Sequence, residues 1–547
     1  MKRYIRPQVG LLVLAVLFSL LSGGSAILVQ FTKGSLLDQA LAGLSNDTIR
    51  YIILLLGIIF FEIFCYHLFN RFRGRYFVCA KSQLREDFFA AQLRKTPPQM
   101  MGEKQGDILA AYIDQIDLAS NSYLLNLPLL FDVILKIILV SSALFWLDVR
   151  VAVLTVLLLT TPLYVPKLIE GRLQKAQKAS TTAFQEHLGK ITEWLGGFEL
   201  IKNYGAERPI RDLFLKSNRQ VREKDYAMRK MSYVSRSLSA LLSYLSHFII
   251  LAYSAWLVLE GSFTAGSFLI AVGMIDQLSY PIISISLYLQ EMTASRPVIN
   301  KLLAEIDAPA EENTPKSDPG KPLDISFDNI YFTYPSGKSI LNNLNFYVAV
   351  GEKCLITGPS GGGKTTLINL LMGYYALNQG SLTLGGIEAT NVRNLNGLIT
   401  IMRQDPSLFN DTLRNNLSLY QNIQDDDMIK MLKNLNLHDF ANPVGLDSLI
   451  QEGGSNLSGG ERKRICLART LLRGSPIVIL DEPLANVDPE TAVQIARLIA
   501  SLEGVTLFVI SHQQSPDWAN AFEHHLIVGT NSSGATPDIM DIHGEMA

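Results

Sequence analysis

One stretch decides the fold of the C-terminal half of this chain: Gly358-Pro359-Ser360-Gly361-Gly362-Gly363-Lys364-Thr365. It fits the phosphate-binding pattern G-x-x-x-x-G-K-[ST], and Thr366 follows it. Residues 353–357 before it predict a short buried strand, and residues 365–372 predict an amphipathic helix. A glycine-rich turn lets backbone N–H groups close on phosphate oxygens at a helix N-terminus, which favours anions. We therefore expect Lys364 to reach the β- and γ-phosphates of a nucleotide and the Thr365 hydroxyl to bind Mg²⁺.

Length and composition indicate more than one domain and a membrane-embedded part. The chain has 547 residues, of which 48% are hydrophobic and only 18% charged. The net charge of −2 gives no electrostatic reason to expect a nucleic-acid partner. The four cysteines show no paired spacing, so we expect free thiols rather than disulfides.

Six stretches in the first 300 residues are long and apolar enough to cross a bilayer core of about 30 Å. They are Val9–Phe31, Tyr51–Phe69, Leu124–Trp146, Val151–Leu168, Leu238–Leu259 and Ser267–Leu289. An even number of spans places both termini on one side of the membrane. The sequence thus predicts a multi-pass protein of the cell membrane, with the phosphate-binding half and both termini in the cytoplasm.

The distribution of basic residues supports this orientation. Segments 71–121 and 166–236 hold 8 and 15 Lys and Arg residues, whereas the opposite connections hold only Lys33, Arg50 and Arg150. An alternative interpretation treats Met1-Lys2-Arg3 and the following apolar stretch as a secretory signal peptide. Its cleavage would leave five spans and reverse the charge bias.

The two long basic segments predict helical extensions of the spans rather than separate domains. We expect turns within them, near Asp114–Ser120 and Tyr204–Pro209, to contact the ATPase domain. Residues 307–322 are rich in Pro and charge and lack an apolar period, so they predict a linker. The predicted domains are therefore 1–306 in the membrane and 323–547 around the phosphate-binding loop.

Two motifs downstream of the loop add chemistry. An apolar strand, 477–480, ends in Asp481 and Glu482. A strand end holds Asp481 rigidly, where it orients the Mg²⁺ shell through water, and Glu482 can activate the attacking water as a general base. Between the loop and this strand, Leu457-Ser458-Gly459-Gly460-Glu461 precedes an Arg- and Ala-rich helix. A serine and two glycines at a helix N-terminus predict a second anion site. One γ-phosphate does not need two such sites, so we expect the second to face the ATP of a partner domain.

Taken in order, these motifs resemble those of an ATP-binding cassette (ABC) half-transporter with the exporter-type transmembrane fold. Tyr334, in Phe332-Thr333-Tyr334-Pro335, resembles the aromatic platform for adenine. Gln404 resembles the glutamine that senses Mg²⁺, and 457–461 resembles the signature motif. Asp488, in Asn486-Val487-Asp488, resembles the residue that crosses the dimer interface, and His512 resembles the switch histidine at the γ-phosphate. Gly106-Asp107 with Asp114, and 197–202, resemble the segments that flank the coupling helices.

The resemblance implies a fold, a site and a partner. The fold is a six-helix, all-α transmembrane domain followed by an α/β P-loop ATPase domain. The implied catalytic residues are Glu482 and His512, and the implied Mg²⁺ ligands are Thr365, Gln404 and Asp481. The remaining nucleotide contacts come from Tyr334, residues 358–366, Ser458, Gly459, Gly460, Glu461 and Asp488. The implied partner is a second half-transporter, identical or different.

Two departures from the family pattern matter. Glu461 replaces the usual Gln at the end of the signature motif, and we expect activity to survive this change. The stretch Leu484-Ala485-Asn486-Val487 before Asp488 lacks the Ser-Ala-Leu residues that are usual in the family. This departure bears on the details of signalling across the dimer.

The resemblance implies ATP hydrolysis coupled to export of a peptide, a lipid or an amphipathic small molecule. An importer of siderophore-like cargo and a regulatory membrane ATPase without flux are the alternatives. Ionisable residues within or near the spans are candidates for recognising the cargo: Glu62, Asp132, Lys136, His247 and Asp276. Asp132 and Lys136 lie four residues apart, so a structural ion pair is the competing interpretation.

Overall fold

The computed structural model describes the chain except residues 44–45, 104, 162–163, 309–317, 319–321, 335–338, 360, 393–394, 486, 512–517, 519–520, 529–538 and 542–547. It divides into two compact units. The first comprises residues 1–94 and 103–309, and the second comprises residues 95–102 and 310–547.

The first unit is entirely helical over its described residues. Its helices are α1 (Lys2–Ile5), α2 (Val9–Ala42), α3 (Asn46–Arg94), α5 (Gln105–Ala110), α6 (Ile116–Ala119), α7 (Asn126–Leu147), α8 (Val149–Leu159), α9 (Tyr164–Gly196), α10 (Phe198–Asn203), α11 (Glu207–Leu259), α12 (Ala265–Ala294) and α13 (Arg296–Ile306). The short helix α4 (Pro97–Met101) belongs to the second unit. Two π-helical segments, Ala111–Gln115 and Ser120–Leu125, join α5, α6 and α7 into one continuous helical run.

Five helical stretches among the described residues have the length and apolar composition needed to cross a membrane. They are Lys2–Ala42, Asn46–Arg94, Gln105–Leu147, Glu207–Leu259 and Ala265–Ala294. The fourth predicted span, Val151–Leu168, is not a single described helix. It begins in α8, which has 11 residues, and continues across residues 162–163, outside the described part of the chain, into α9.

The long basic segments are helical extensions of the apolar helices, as predicted, but one expected turn was wrong. Residues 114–120 lie inside the continuous helical run, because no glycine or proline interrupts 107–125. The chain reverses instead between α3 and α5, where Pro97-Pro98 cannot continue a helix and Thr96 caps α4. Residues 95–102 group with the second unit, and the predicted domain bounds 1–306 and 323–547 stay a prediction. The other expected turn is present at Tyr204–Ala206, and α11 begins at Glu207. The linker boundary stays a prediction, because most of 307–322 lies outside the described residues.

The second unit is an α/β domain with three sheets. Its strands are β1 (Ile325–Thr333), β2 (Ser339–Val348), β3 (Lys353–Thr357), β4 (Gln379–Leu384), β5 (Ile387–Glu388), β6 (Ile399–Met402), β7 (Asp411–Thr412), β8 (Leu449–Ile450), β9 (Ile477–Asp481), β10 (Thr506–Ile510), β11 (His524–Val528) and β12 (Ile539–Asp541). Its other helices are α14 (Lys364–Leu371), α15 (Leu395–Leu398), α16 (Leu413–Ser418), α17 (Asp425–Asn434), α18 (Pro443–Leu446), α19 (Gly459–Leu472) and α20 (Pro489–Ala500).

The central sheet positions the site. Its order is β12-β11-β3-β10-β9-β6, and every neighbouring pair is parallel except β11 with β12. The strands β3, β9 and β10 are buried apolar runs, as expected for a parallel sheet that is covered on both faces. The phosphate-binding loop follows β3, Glu482 follows β9 and Gln404 follows β6, so these residues leave the same edge of the sheet.

A close contact joins α2 and α12 in the first unit. The Asp38 carboxylate accepts hydrogen bonds from the Gly266 N–H at 2.7 Å and from the Thr264 hydroxyl at 2.8 Å. A Cβ atom on Gly266 would lie 2.3 Å from both Asp38 Oδ2 and the Gly34 carbonyl oxygen. Only glycine allows the two helices to approach this closely.

We expect Gly266→Ala to destabilise the protein by about 1–3 kcal/mol, because the added methyl group must push α12 away from α2. The measurement is the thermal unfolding transition of the detergent-solubilised protein. Gly10→Ala is the matched control, since a Cβ there meets nothing within 4 Å. Equal transition temperatures for the two variants would contradict the proposed contact.

Candidate active site

A cavity of about 390 Å³ lies at the carboxyl edge of the central sheet. Its lining comes from the chain after β1, from β2, the phosphate-binding loop and α14, and from the chain after β6 and the end of β9. The lining residues are Tyr334, Ile340, Gly361, Gly363, Lys364, Thr365, Thr366, Gln404, Asp481 and Glu482. The structure thus brings to one cavity Tyr334, part of the phosphate-binding loop with Thr366, and the three predicted Mg²⁺ ligands, together with Glu482.

The loop geometry explains its glycines. Gly358 has φ 144°, and a Cβ there would lie 1.8 Å from the Val528 carbonyl oxygen. Gly363 has φ 107° and caps α14, where a Cβ would lie 2.9 Å from Ile340 Cγ2. Side chains are therefore excluded at both ends of the loop. Gly362 also packs against Val528, with its would-be Cβ 3.0 Å from that carbonyl oxygen.

The Lys364 ammonium group bends back onto its own loop. It donates hydrogen bonds to the carbonyl oxygens of Gly358 at 2.7 Å and Pro359 at 3.0 Å. Burial lowers the pKa of Lys364, while the nearby carboxylates of Glu482 and Asp481 act in the opposite direction. Ser360 of the same loop lies outside the described residues.

Two carboxylates follow the apolar strand β9. Burial, and next the negative charge of Glu482, raise the pKa of Asp481 above its ordinary value. The Gln404 side-chain amide donates a hydrogen bond to Glu482 Oε2 at 3.0 Å. Glu482 also has a positive φ of 52°, which is uncommon for a residue with a side chain and occurs often at functional sites.

The residues Thr365, Gln404 and Asp481 supply oxygen atoms around one cavity, and these are the ligands that Mg²⁺ prefers. Their hydroxyl, amide and carboxylate groups fit the ion. Asp481 is held at the strand end, and Gln404 can exchange its bond with Glu482 for a metal contact. Among the described residues, no cluster of three or more His, Cys, Asp or Glu side chains suggests a different metal.

Tyr334 lines the cavity within a small aromatic cluster. Its ring makes edge contacts with Phe332 at 5.0 Å and with Tyr375 at 5.5 Å between centroids. Its hydroxyl lies 3.1 Å from Thr366 Oγ1. The sequence motif pointed to Tyr334 but missed Tyr375 and Ile340, because neither belongs to a recognisable pattern.

The residues Ser458, Gly459, Gly460 and Glu461 lie at the N-terminus of α19 and are not among the described lining residues of the cavity. The Ser458 hydroxyl accepts from the Glu461 N–H at 3.2 Å, and Glu461 Oε2 accepts from the Ser458 N–H at 2.8 Å. This reciprocal capping box explains how Glu461 fits a position where the family usually has Gln, since either side chain provides the acceptor.

Two other predicted residues lie apart from the cavity lining or outside the described residues. Asp488 caps α20, where its carboxylate accepts from the Thr491 N–H at 2.9 Å, and this bond lowers its pKa. His512 lies outside the described residues, although Ser511 before it follows β10 at the same sheet edge. Asn486 also lies outside the described residues.

Comparison with known families decides the classification. Residues 12–282 match the ABC transporter transmembrane region, and residues 341–485 match the ABC transporter ATP-binding family. The chain belongs to the ABC transporters. A transmembrane region followed by an ATP-binding domain is the arrangement of an ABC half-transporter, so the chain is an ATPase coupled to transport and a multi-pass membrane protein.

Relatives of this ABC half-transporter carry different cargo names. It is 30% identical to an ATP-dependent lipid A-core flippase of Methylobacillus flagellatus over 62% of this chain and 59% of that protein. It is 26% identical to a multidrug resistance-like ATP-binding protein of Buchnera aphidicola over 92% of this chain and 88% of that protein. A fatty acid ABC transporter of Mycobacterium bovis is 24% identical over 78% of this chain and 69% of that protein.

A solved structure shares the fold of the half-transporter. The ATP-bound structure of a bacterial Atm1-family ABC exporter superposes with a TM-score of 0.79 at 22% identity, over 96% of this chain and 93% of that chain. The exporter-type fold, predicted as a helical transmembrane domain followed by an α/β ATPase domain, is confirmed.

We expect Glu461→Gln to keep ATPase activity within about twofold, because Gln preserves the capping box, and Glu461→Ala to lower it several-fold. The measurement is phosphate release by the purified transporter.

The Ser458 N–H bond lowers the pKa of Glu461. The cap therefore contributes fully to stability at pH values above the ordinary pKa of 4.5, and this contribution is lost as the pH falls through the lowered pKa. Equal activity of the Ala and Gln variants would show that the cap does not matter.

Proposed function

We propose that this half-transporter works as a primary-active exporter in which two half-transporters bind two ATP molecules between them. The observation that carries the proposal is the division of the predicted nucleotide contacts. The cavity holds the phosphate-binding loop, Gln404 and the two carboxylates, while the signature motif lies elsewhere on the same chain. A second copy or a related half-transporter would supply the missing signature to each ATP.

The chemistry of the proposed cycle follows from the cavity. Lys364 would exchange its loop carbonyls for phosphate oxygens. Thr365, Gln404 and Asp481 would hold Mg²⁺, which would neutralise charge on the phosphates. Once the 3.0 Å hydrogen bond from Gln404 is released, Glu482 would accept a proton from the attacking water. His512 would contact the γ-phosphate, and Asp488 with Ser458–Glu461 would complete the site across the dimer. Positive charge on 71–121 and 166–236 supports a cytoplasmic ATPase domain and termini.

The cargo that we propose is a lipid or another amphiphile. Large apolar side chains on α2 and α3 are exposed in this chain, among them Val13 at 58% and Ile53 at 66%. In a membrane-spanning unit these surfaces face the acyl chains of the bilayer, and an amphiphilic cargo would reach them from the same layer. The names of the flippase and of the fatty acid transporter point the same way, each for its own protein.

We expect Glu482→Gln to lower ATP hydrolysis by roughly 10²-fold or more while ATP binding is retained, because the amide cannot accept the proton from water. The measurements are phosphate release and equilibrium nucleotide binding. Glu503→Gln, at an exposed carboxylate of the same unit, is the control that should change neither. Hydrolysis at the parent rate by Glu482→Gln would remove the assigned base.

Transport direction is tested in inside-out membrane vesicles with a fluorescent phospholipid, a long-chain fatty acid and a cationic dye as probes. We expect ATP-dependent accumulation of an amphiphile, and none with Glu482→Gln. ATP-dependent depletion from preloaded vesicles would establish import instead. Stimulated ATPase activity without flux of any probe would favour a regulatory ATPase.

A further inference from the structure

A buried lysine on α19 takes no part in the nucleotide and metal contacts proposed above. The Lys463 side chain is only 7% exposed. Its neighbours Ile465, Cys466 and Leu467 on the same helix are buried and apolar. A buried ammonium group costs free energy unless a polar or charged partner lies close to it. The role of Lys463 therefore depends on what its ammonium group contacts.

The ammonium group of Lys463 reaches the chain directly after β9. Its Nζ atom donates to the backbone carbonyl oxygen of Glu482 at 3.5 Å. This distance is long for a hydrogen bond, but the attraction between a full charge and a carbonyl dipole is strong where little water screens it. The same positive charge acts on the Asp481 carboxylate, one residue earlier. Lys463 thus links the helix of the signature motif to the two carboxylates of the cavity.

The peptide bond between Glu482 and Pro483 makes this contact important. Pro483 has no backbone N–H, so hydrogen bonds can hold this peptide group only through the carbonyl oxygen of Glu482. That oxygen accepts from Lys463 and from the Ala485 N–H at 3.3 Å. On the other side of the residue, the Glu482 N–H donates to the Ile510 carbonyl oxygen of β10 at 3.0 Å. The backbone of Glu482 is therefore held by α19, by β10 and by the turn that follows it.

Glu482 needs this support because its backbone conformation is unfavourable. Its φ of 52° lies in the left-handed region, which few residues with a side chain adopt, and the proline that follows restricts it further. The backbone angles of Glu482 set the direction of its Cα–Cβ bond and therefore the position of its carboxylate. A displacement of a reacting group by about 1 Å can lower a catalysed rate about 10²-fold. A group that holds this backbone therefore affects the reaction without touching the nucleotide.

We propose that Lys463 is a positioning residue for ATP hydrolysis, whose ammonium group holds the peptide after Glu482 so that the Glu482 carboxylate faces the attacking water. The inference rests on the proposed function, since it takes Glu482 as the general base. It adds a second role for α19. The N-terminus of this helix would face the ATP of a partner, while Lys463, five residues after Ser458, orients the base of the same chain.

The first test measures steady-state ATP hydrolysis by the full chain in phosphatidylcholine nanodiscs. Lys463→Met keeps an unbranched side chain at the buried position but removes the charge and the donors. We expect it to lower kcat about tenfold, while KM for ATP and equilibrium ATP binding stay within about twofold, because the phosphate-binding loop is unchanged. Lys463→Arg keeps a charged donor and should restore kcat to within about threefold of the parent. Lys430→Met, at an exposed lysine of α17, is the control and should change neither constant.

A second test separates a positioning role from a merely structural one. If Lys463 acts through Glu482, its substitution has no carboxylate to displace in Glu482→Gln. We therefore expect Lys463→Met to lower the residual hydrolysis of Glu482→Gln by less than about twofold. A full tenfold loss in that background would show that Lys463 acts elsewhere and would overturn the inference.

Thermal unfolding of each variant checks that it is folded, and we expect Lys463→Met to unfold within a few degrees of the parent. Lys463→Gln, which keeps a neutral donor, is the second variant if Lys463→Met does not fold, and it should lower kcat several-fold. An unchanged kcat, a raised KM in place of a lowered kcat, or failure of Lys463→Arg to restore kcat would each overturn the inference. Hydrolysis at the parent rate by Glu482→Gln would instead remove the assigned base, so the two failures are distinguishable.

Discussion

The parallel pairing of four neighbouring strands is the constraint on which the active site depends. Because β3, β10, β9 and β6 run in the same direction, the residues that follow them leave one edge of the sheet. Lys364 and Glu482 are more than 110 residues apart in the sequence, and Gln404 lies between them. All three line one cavity because the strands that precede them run in the same direction. The register is fixed by the apolar side chains on both faces, since a shift of one residue would turn the carboxylates away. The packing of the sheet thus determines the positions of the side chains in the active site.

Several side chains assigned to the site form hydrogen bonds with one another or with nearby backbone groups. Gln404 bonds Glu482, Asp488 caps α20, and Ser458 and Glu461 cap each other. Lys364, Gln404, Glu482, Asp488, Ser458 and Glu461 thus each have a hydrogen-bond partner within the chain. Nucleotide binding would therefore exchange hydrogen bonds rather than add them, which keeps the net contribution of each one small. Such exchange would also link Gln404, the proposed Mg²⁺ ligand, directly to the availability of Glu482.

The sequence predicted the local chemistry better than the path of the chain. The strand 353–357 was predicted with its observed bounds, and the helix after the loop with a shift of one residue at each end, because loop motif and apolar run reinforce each other. The turn near 114–120 was wrong, since polar residues on a long helix have the same composition as those in a loop. Pro97-Pro98 was the stronger local signal for the reversal. The contacts of Tyr375 and Ile340 with the site, and of Asp38 with Gly266, depend on packing across distant segments and have no local pattern.

The bent conformation of Lys364 affects which molecules the phosphate-binding loop can bind. Its ammonium group already has two carbonyl oxygens within 3.0 Å. An uncharged molecule that offers another neutral oxygen would therefore gain little binding free energy by replacing them. A polyphosphate does gain, because its charge attracts the ammonium group more strongly than any peptide carbonyl can. Adenosine, which shares the base and sugar of ATP but lacks the phosphates, would leave the lysine where it is. The loop would therefore favour molecules that carry phosphate charge over neutral ones, whichever base they carry.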